Sequence, residues 1–387
     1  MRKLIHIVPG LRPDVDGVGD YAIAVAHALH QHQQVDSLFV VANPGSSAYG
    51  FQTVEGFPVV AVEQRDPAGL CEALRRILMV SGAPPDTPLL LHCSLYGFAS
   101  RARAFWLVDA LRQWKQRVPA PLLMTMFHEL AASGPVWRSA FWLHASQCRI
   151  LKRLAGESAA HFVSNTRYSR TLARIAGLDS RPIHRLPMIS TIGEPETGAL
   201  PQTATRKRQM IVFGQSHSRD IVFADNGSLL AAACRTLAVE RILEIGPGRK
   251  HRNVGPIATE PLGVLDAAEI SAVLRESLFG YMAPNADLLA KSSVFAAFCA
   301  HRMAVIVAGR GQPEDGLEPG VHYLRAEGLS SVNDREIASA ARSACDWYGG
   351  HTSPVHARTY AQIAFAKPDT EMLGNAGNCR LLEEKNA

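Results

Sequence analysis

The hydrophobic and polar positions of this chain follow two alternating periods. Short apolar runs predict buried β-strands at residues 4–8, 37–41, 59–62, 89–92, 122–126 and 161–163. Residues 21–29 and 68–80 instead repeat their apolar positions at the spacing of amphipathic helices. Strands that alternate with helices are typical of a parallel sheet with crossover helices, so we predict an αβ domain over residues 1–190.

The same alternation returns after a stretch rich in Thr, Glu, Pro and Gly, which predicts a linker at residues 191–208. A second αβ domain is predicted over residues 209–348. Its strands are predicted at 210–213, 241–245, 278–282 and 303–308, and its helices at 228–236, 268–276 and from Ser292. Residues 349–387 contain one helical pattern, at 356–365, and then an irregular polar tail. The predicted fold class is α/β, with two Rossmann-like domains.

Composition narrows the classes of function. Hydrophobic residues make up 47% of the chain and charged residues 19%, as in compact globular proteins. The net charge of +5 is spread along the sequence, which suits an anionic ligand or an anionic membrane surface and is too mild to argue for nucleic acid. The seven cysteines form no CxxC pattern, so we expect neither disulfides nor a zinc site, and a reducing cytoplasm is favoured.

The chain shows no signal for membrane insertion. Its apolar start is too short for a signal peptide and predicts the first strand instead. No uninterrupted apolar run is long enough to cross a bilayer.

The turn after the first strand holds two glycines that would let the backbone approach a ligand. Gly17 and Gly19 follow the carboxyl end of a strand, where α/β folds bind ligands, and we predict that they face a phosphate or a sugar. The alternative is a structural turn with Asp20 as a helix N-cap. The incomplete GxGxxG pattern argues against a dinucleotide. Asp14 and Asp16 match the DxD of some metal-dependent sugar transferases but stand too early for that class, so no metal is expected.

A Lys-Ser-Ser sequence opens an apolar helix in the second domain. Lys291, Ser292 and Ser293 would bring an ammonium, hydroxyls and unpaired backbone N–H groups to one helix N-terminus, a pattern that binds phosphate. The glycines of a Walker loop are missing, so an ATPase of that class is excluded. The alternative is a lysine that extends to solvent and a serine that caps the helix.

Polar residues follow the strand predicted at 122–126. His128 and Glu129 would lie at the carboxyl edge of the sheet. There His128 could donate a hydrogen bond to a developing charge or orient a sugar, and Glu129 could accept a proton or hold the imidazole tautomer. Capping or packing roles are the alternative. Trp137 begins an aromatic and basic segment, which predicts either a contact with carbohydrate or lipid or a place in the core.

Two glycine turns follow strands of the second domain. Gly214 would admit a ligand close to the backbone, and Arg219 would bind a diphosphate with both arms of its guanidinium. The alternative for Arg219 is a solvated arginine in a polar loop. Gly246 would pack on a nucleotide base.

Taken in order along residues 1–330, these motifs resemble the glycosyltransferases of the GT-B fold, in the broad family-4 group of retaining enzymes. The resemblance rests on residues 16–21, on Phe127-His128-Glu129 with the Trp-rich helix, on residues 163–165, on Gly214 with Arg219, and on residues 291–300 with the loop at 311–316.

The resemblance implies two domains that face a cleft and a nucleotide-sugar donor bound there without a metal. The diphosphate would lie against Arg219, Lys291 and the N–H groups near Ser292, with Gly17 facing it from the first domain. His128 would lie near the transferred sugar. The acceptor would enter over Asp20, Tyr21 and the helix of Trp137.

Two features depart from the family pattern. Enzymes of this family usually carry two glutamates that flank the phosphate loop, and the corresponding positions here are Leu289 and Ala297. The lysine that usually follows the arginine is absent near Arg219, unless Lys291 replaces it in space. Recognition of the donor ribose is therefore expected to differ.

The expected function is transfer of a sugar from a nucleotide sugar to a glycan or lipid-linked glycan, in the biosynthesis of an exported or cell-surface polysaccharide. No cofactor and no nucleic-acid partner are expected, and the expected location is the cytoplasm or the inner face of the membrane. One alternative is a GT-B-like binding or partner subunit without catalysis, which the missing glutamates favour. Another is a Rossmann oxidoreductase, which the incomplete GxGxxG disfavours.

Overall fold

Two separate β-sheets, one in each half of the chain, organise the protein. The structure is a computed structural model that describes residues 1–11, 17–43, 51–118, 122–132, 137, 139–178, 182–248 and 252–366. Asp14 and Asp16 lie outside the described residues, as does the polar tail.

The first sheet has eight strands in the order β3-β4-β2-β1-β5-β6-β7-β8. Its strands are β1 (Arg2–Val8), β2 (Val35–Val41), β3 (Phe51–Val54), β4 (Phe57–Ala61), β5 (Leu89–Cys93), β6 (Leu123–Phe127), β7 (Ala160–Val163) and β8 (Ile183–Arg185). Neighbouring strands are parallel, except for β3 and β4, which form an antiparallel hairpin at one edge. The sheet is accompanied by α1 (Gly17–Gln33), α2 (Pro67–Ser81), α3 (Leu95–Phe98), α4 (Phe105–Arg117), α5 (Ser139–Glu157) and α6 (Thr166–Ala176).

Helix α2 shows how local sequence sets an element of this domain. The side chain of Asp66 accepts a hydrogen bond from the Gly69 N–H at 2.7 Å, and Pro67 occupies the first turn. Gly82 ends the helix in the left-handed conformation, with a φ of 61°. Between these caps, the apolar side of α2, which includes Leu74 and Ile77, packs into the core of the first domain.

The second sheet has six parallel strands in the order β11-β10-β9-β12-β13-β14. Its strands are β9 (Lys207–Phe213), β10 (Arg241–Ile245), β11 (Ala258–Gly263), β12 (Ser277–Met282), β13 (Ala304–Val307) and β14 (Leu324–Arg325). The helices of this half are α7 (Ser216–Asp220), α8 (Gly227–Thr236), α9 (Ala267–Glu276), α10 (Ser293–Ala300) and α11 (Asp334–Gly349), with a 3-10 helix at Ala286–Lys291. Two parallel sheets covered by helices confirm the predicted α/β class.

The sequence missed four strands, all at or next to a sheet edge: β3, β8, β11 and β14. β8 and β11 are only partly buried, so their side chains lack the continuous apolar run on which the prediction depended. β14 has two residues, too few for a periodic signal.

The last described helix, α12 (Ser353–Ala364), returns to the first domain and packs against α1. The Tyr21 hydroxyl lies 2.8 Å from His356 Nδ1 and 2.9 Å from the Tyr360 hydroxyl, and all three side chains are completely buried. The prediction that Tyr21 contacts an acceptor is therefore corrected, because its ring and hydroxyl are enclosed by α12.

Polar contacts join the two domains on the side of α6. The Thr166 N–H and hydroxyl both donate to Asp315 Oδ1, at 2.8 and 2.6 Å. Arg167 forms an ion pair with Asp287 at 2.8 Å, and Arg170 forms one with Glu314. The α6 helix thus touches the second domain through its first turn and its basic face.

We expect Tyr360→Ala to lower the free energy of unfolding by about 3–5 kcal/mol, because it removes a buried aromatic ring and leaves the Tyr21 hydroxyl with one fewer partner. Urea unfolding followed by circular dichroism measures this change. Tyr96→Ala is the matched control, since the Tyr96 side chain is 48% exposed. Equal stability of the two variants would contradict the docking of α12.

Candidate functional site

A cleft of about 990 Å³ lies where the first domain meets the 3-10 helix Ala286–Lys291 of the second. Its first-domain wall comes from the ends of β5 and β6 and from α5 and α6. Its charged and polar lining includes Tyr96, Glu129, His144, Arg167, Tyr168, Arg170, Arg174 and Asp287. The cleft therefore has a basic side, built by α6, that faces two carboxylates.

Glu129 lies on the floor of the cleft, two residues after the end of β6. Its Oε2 accepts a hydrogen bond from the Ser94 hydroxyl at 2.7 Å. This bond fixes the carboxylate at the carboxyl edge of the sheet, where the sequence placed it. Ser94 was not predicted as a site residue. It directly follows strand β5, just as His128 and Glu129 follow strand β6.

His128 is buried beside Glu129 and belongs to a row of hydrogen-bonded rings. His92 Nδ1 lies 3.2 Å from His128 Nε2, and His6 Nδ1 lies 3.0 Å from His92 Nε2. His6 Nε2 lies 3.1 Å from the Ser37 hydroxyl. Burial lowers the pKa of His6 and of His128 to about 3, so the rings at both ends of the row are neutral at physiological pH.

Lys291 stands at the end of the 3-10 helix and faces His128. Its ammonium is close enough to His128 for its charge to contribute, after burial, to the lowered pKa of that ring. The ammonium also lies 5.6 Å from the centre of the Tyr168 ring. Within the described ranges of the chain, no carboxylate forms an ion pair with Lys291, so its charge is available to an anion.

Ser292 and Ser293 begin helix α10, directly after Lys291. The Ser292 side chain accepts a hydrogen bond from the Phe295 N–H at 3.1 Å, which confirms the alternative that Ser292 caps the helix. Ser293 is the first helical residue. The structure thus brings the predicted ammonium and the predicted helix N-terminus together, and it places the ammonium near the predicted His128.

Gly214 and Gly246 meet at the carboxyl ends of β9 and β10. Their φ angles of 132° and 139° are rarely adopted by residues with a side chain. A Cβ atom on Gly214 would lie 3.6 Å from Val294, in the first turn of α10, and a Cβ atom on Gly246 would collide with the Gly214 carbonyl. Both glycines therefore allow the strand ends to pack close together beside the N-terminus of α10.

Arg219 was predicted to bind a diphosphate, with a solvated arginine as the alternative, but the structure buries it to 2% exposure. Its Nε donates to the Gly214 carbonyl at 2.9 Å, and its other nitrogens donate to Glu244 and to the Pro247 carbonyl. Arg252 also binds Glu244, at 3.2 Å. These partners occupy the guanidinium, so Arg219 holds the two glycine turns together and does not present its charge to a diphosphate.

The structure gives Gly19 a packing role and overturns the alternative that Asp20 is an N-cap. Helix α1 begins at Gly17, so Asp20 lies inside its first turn and is not the N-cap. A Cβ atom on Gly19 would lie 2.5 Å from the Gly10 carbonyl oxygen, so this glycine lets α1 pack on the end of β1. Gly17 is exposed and has open space at its Cβ position.

Trp137 is 81% exposed, which overturns the alternative that it belongs to the core. Trp142 and Phe141, on the first turns of α5, are 73% and 44% exposed and pack edge to face. These aromatic side chains lie outside the residues that line the cleft.

The two positions at which the family would carry glutamate are buried. Leu289 and Ala297 belong to the core of the second domain and are at most 1% exposed. The acid that this segment directs into the cleft is Asp287, which sequence reasoning missed. Its position two residues before Leu289 carried no signal, because a single aspartate in a predicted loop is common.

Metal-binding clusters and membrane-spanning helices are both absent from the part of the chain that the structure describes. There, no group of three His, Cys, Asp or Glu side chains is arranged to hold a metal ion. No helix in the same part is both long and apolar enough to cross a membrane. The six described cysteines are free thiols.

The chain matches no protein-family model and no curated protein by sequence. Solved structures do match it. An alpha-glucosyltransferase in complex with UDP-glucose and DNA containing an abasic site superposes with a TM-score of 0.60 at 12% identity, over 94% of this chain and 100% of that chain. An alpha,alpha-trehalose-phosphate synthase (UDP-forming) from Burkholderia xenovorans, in complex with glucose-6-phosphate, gives 0.60 at 11% identity over the same shares.

The chain has the GT-B fold. A third match, an E. coli structure described as trehalose-6-phosphate bound with UDP-2-fluoro glucose, agrees with this assignment at a TM-score of 0.58 and 9% identity, over 94% of this chain and 98% of that one. The two parallel sheets of this GT-B protein are its two predicted Rossmann-like domains, and the cleft lies between them.

We expect Arg219→Met to destabilise this GT-B protein by about 3–5 kcal/mol, because it removes one partner of the buried Glu244 carboxylate. Arg235→Met, on the exposed side of α8, should change stability by less than about 0.5 kcal/mol. Urea unfolding compares the two variants. If Arg219→Met kept full stability but lost affinity for a diphosphate ligand, the buried role assigned to Arg219 would be wrong.

Acid should destabilise the protein well before its carboxylates are protonated. The pKa of His6, His128 and His356 is about 3 in the folded protein, below the ordinary 6.5. The unfolded chain therefore binds more protons between these values, and stability present above pH 6.5 is lost as the pH falls. Each ring should contribute about 2 kcal/mol of this loss between pH 6.5 and 5. Urea unfolding at pH 7, 6 and 5 tests it, and a flat profile would contradict neutral buried rings.

Proposed function

We propose that the protein is a glycosyltransferase that moves a sugar from a nucleotide-sugar donor to an acceptor bound in the same cleft. One observation carries this proposal: in a GT-B fold, the ammonium of Lys291 stands directly before the N-terminus of α10 and close to His128, next to the cleft that Glu129 lines. A cation and unpaired backbone N–H groups suit a diphosphate, and the facing imidazole and carboxylate suit the reacting sugar.

The donor diphosphate would bind at Lys291 and at the backbone N–H groups that open α10. The ammonium has no carboxylate partner in the described part of the chain, and the positive end of the helix dipole adds to its charge. Gly214 would bring its backbone close to the same ligand, because it lies beside Val294 in the first turn of α10, where a Cβ atom would be 3.6 Å from that side chain. Arg219 would act indirectly, by holding the Gly214 and Gly246 turns.

Departure of the nucleotide diphosphate would need no metal in this arrangement. Lys291 and the helix N-terminus are fixed before the donor arrives, so they can stabilise the charge that develops on the leaving phosphate without reorganisation. A donor sugar held between this leaving group and the first-domain edge would have one face towards His128. A retaining outcome follows from the family resemblance and forms part of the proposal.

The acceptor would enter from the α6 side of the cleft. The exposed side chains of Arg167, Arg170 and Arg174 line that side, together with Tyr96, whose ring is 48% exposed. Arginines and an aromatic face suit a glycan that also carries negative charge, such as a diphosphate-linked lipid glycan. Glu129 would accept the proton of the acceptor's reacting hydroxyl. The similar structures hold DNA and glucose-6-phosphate, both phosphate-bearing, so DNA belongs in the acceptor screen.

A binding subunit without catalysis is the second candidate. The burial of Leu289 and Ala297 favours it, since neither position can offer a carboxylate to the donor. Hydrolysis or transfer of a radiolabelled sugar distinguishes the two. A bound donor that never turns over, with any acceptor of the screen, would select the binding subunit.

We expect one nucleotide sugar among UDP, GDP, ADP and dTDP donors to raise the melting temperature of the protein, equally with and without magnesium. Lys291→Ala should weaken its binding about 10- to 100-fold, because it removes a charge-assisted contact. Calorimetric titration measures the affinity.

Lys152→Ala is the matched control, since Lys152 is exposed on α5 and far from the cleft lining. It should bind the donor as the unmodified protein does. Equal affinity of the Lys291 and Lys152 variants would reject the phosphate site, and a strict requirement for magnesium would reject metal-independent binding.

A further inference from the structure

The row of buried polar side chains that ends at His128 crosses four neighbouring strands. Ser37 lies on β2, His6 on β1 and His92 on β5, and His128 follows β6. None of them is more than 5% exposed. Buried neutral imidazoles are costly to place in a sheet unless each nitrogen has a partner, so an unbroken row of three calls for an explanation.

The strand register shows that the row is a regular diagonal. Leu90 pairs with His6, and His92 lies two residues further along β5. Met126 pairs with His92, and His128 lies two residues further again. The step of two keeps every ring on one face of the sheet and moves the row towards its carboxyl edge. The diagonal therefore leads from the interior at Ser37 to His128, whose neighbour Glu129 lines the cleft.

The hydroxyl at the inner end sets the direction of all hydrogen bonds in the row. Each neutral imidazole has one N–H donor and one acceptor nitrogen, so fixing one bond fixes the next. The Ser37 hydroxyl is buried, and in the described residues its one hydrogen-bond partner is His6 Nε2. If His6 donated instead, the hydroxyl proton would be left without an acceptor, at a cost of about 1–3 kcal/mol.

With Ser37 as donor, the proton positions along the row follow. His6 carries its proton on Nδ1 and donates to His92 Nε2, and His92 carries its proton on Nδ1 and donates to His128 Nε2. His128 must then hold its own proton on Nδ1. In the part of the chain that the structure describes, this nitrogen has no hydrogen-bond partner.

We propose that Ser37, His6 and His92 are positioning residues that hold His128 in the Nδ1–H tautomer, so that this N–H donates a hydrogen bond to an oxygen of the transferred sugar. The hydrogen bond to the sugar rests on the proposed function, whereas the tautomer of His128 does not. Because burial keeps His128 uncharged beside Lys291, the ring offers a donor without adding a second positive charge.

Imidazole NMR tests the tautomer directly. In the ligand-free protein with ¹⁵N-labelled histidine, the two-bond and three-bond ¹H–¹⁵N correlations of His128, assigned by their loss in His128→Gln, should show a protonated Nδ1 and an unprotonated Nε2. A protonated Nε2 would mean that the row runs in the opposite direction and would overturn the proposal. This measurement needs no active variant.

Three variants test the positioning role. His92→Phe keeps a ring but cannot donate to His128 Nε2, so His128 should populate the Nε2–H tautomer. His92→Asn keeps an amide donor near the place of Nδ1 and should retain the Nδ1–H tautomer. His161→Phe is the matched control, because His161 is buried on the adjacent strand β7 outside the row and should leave His128 unchanged. An unchanged tautomer in folded His92→Phe would overturn the positioning role.

Kinetics with the donor identified by thermal shift test the sugar contact. His92→Phe should lower kcat/KM about tenfold, the effect of one lost hydrogen bond, and His92→Asn should recover most of it. If the tautomer changes as expected while kcat/KM does not, the contact with the sugar is wrong. If no nucleotide sugar binds the unmodified protein, the proposed function fails, whereas the NMR result on the row still stands.

Discussion

The packing of α12 on α1 is the interaction on which the arrangement of the two domains depends. Parallel strands all end on one edge of their sheet, and a ligand site between two such sheets exists only while both edges are held facing each other. The buried hydrogen bonds of Tyr21 with His356 and Tyr360 tie the end of the second half to the first domain. The cleft, and the approach of Lys291 to His128 beside it, follow from that tie.

Many of the polar side chains near the site are buried and hold other groups in place instead of contacting ligand. Arg219 holds the glycine turns of β9 and β10, and the imidazole row holds His128. Ser94 orients Glu129 in the same way. Such buried partners restrict the side chains or turns that face the cleft, and restricted groups bind and react with less loss of entropy. The residues that touch ligand are few, and their supports come from distant parts of the sequence.

Local sequence was sufficient to predict the central strands and helices. It was insufficient to predict which polar side chains are buried. The central strands, such as β1 and β12, are buried over most of their length and mostly apolar, whereas edge strands such as β8 are not. Arg219 was predicted to bind a diphosphate or, as the alternative, to be solvated in a polar loop, and only the tertiary structure brings Glu244 beneath it. His6 and His92 passed unnoticed in apolar strands, because their pairing depends on which strands are neighbours and on a register that no short segment encodes.

The contacts between the two domains are weaker on the α6 side of the cleft than on the α12 side. Arg167 and Arg170 are 48% and 65% exposed, and exposed pairs of this kind contribute about 0–1 kcal/mol each. On the α12 side, separation would expose rings that are now completely buried. Separation of the two domains therefore costs less on the α6 side than on the α12 side, and salt, which screens the arginine pairs, lowers the cost on the α6 side alone.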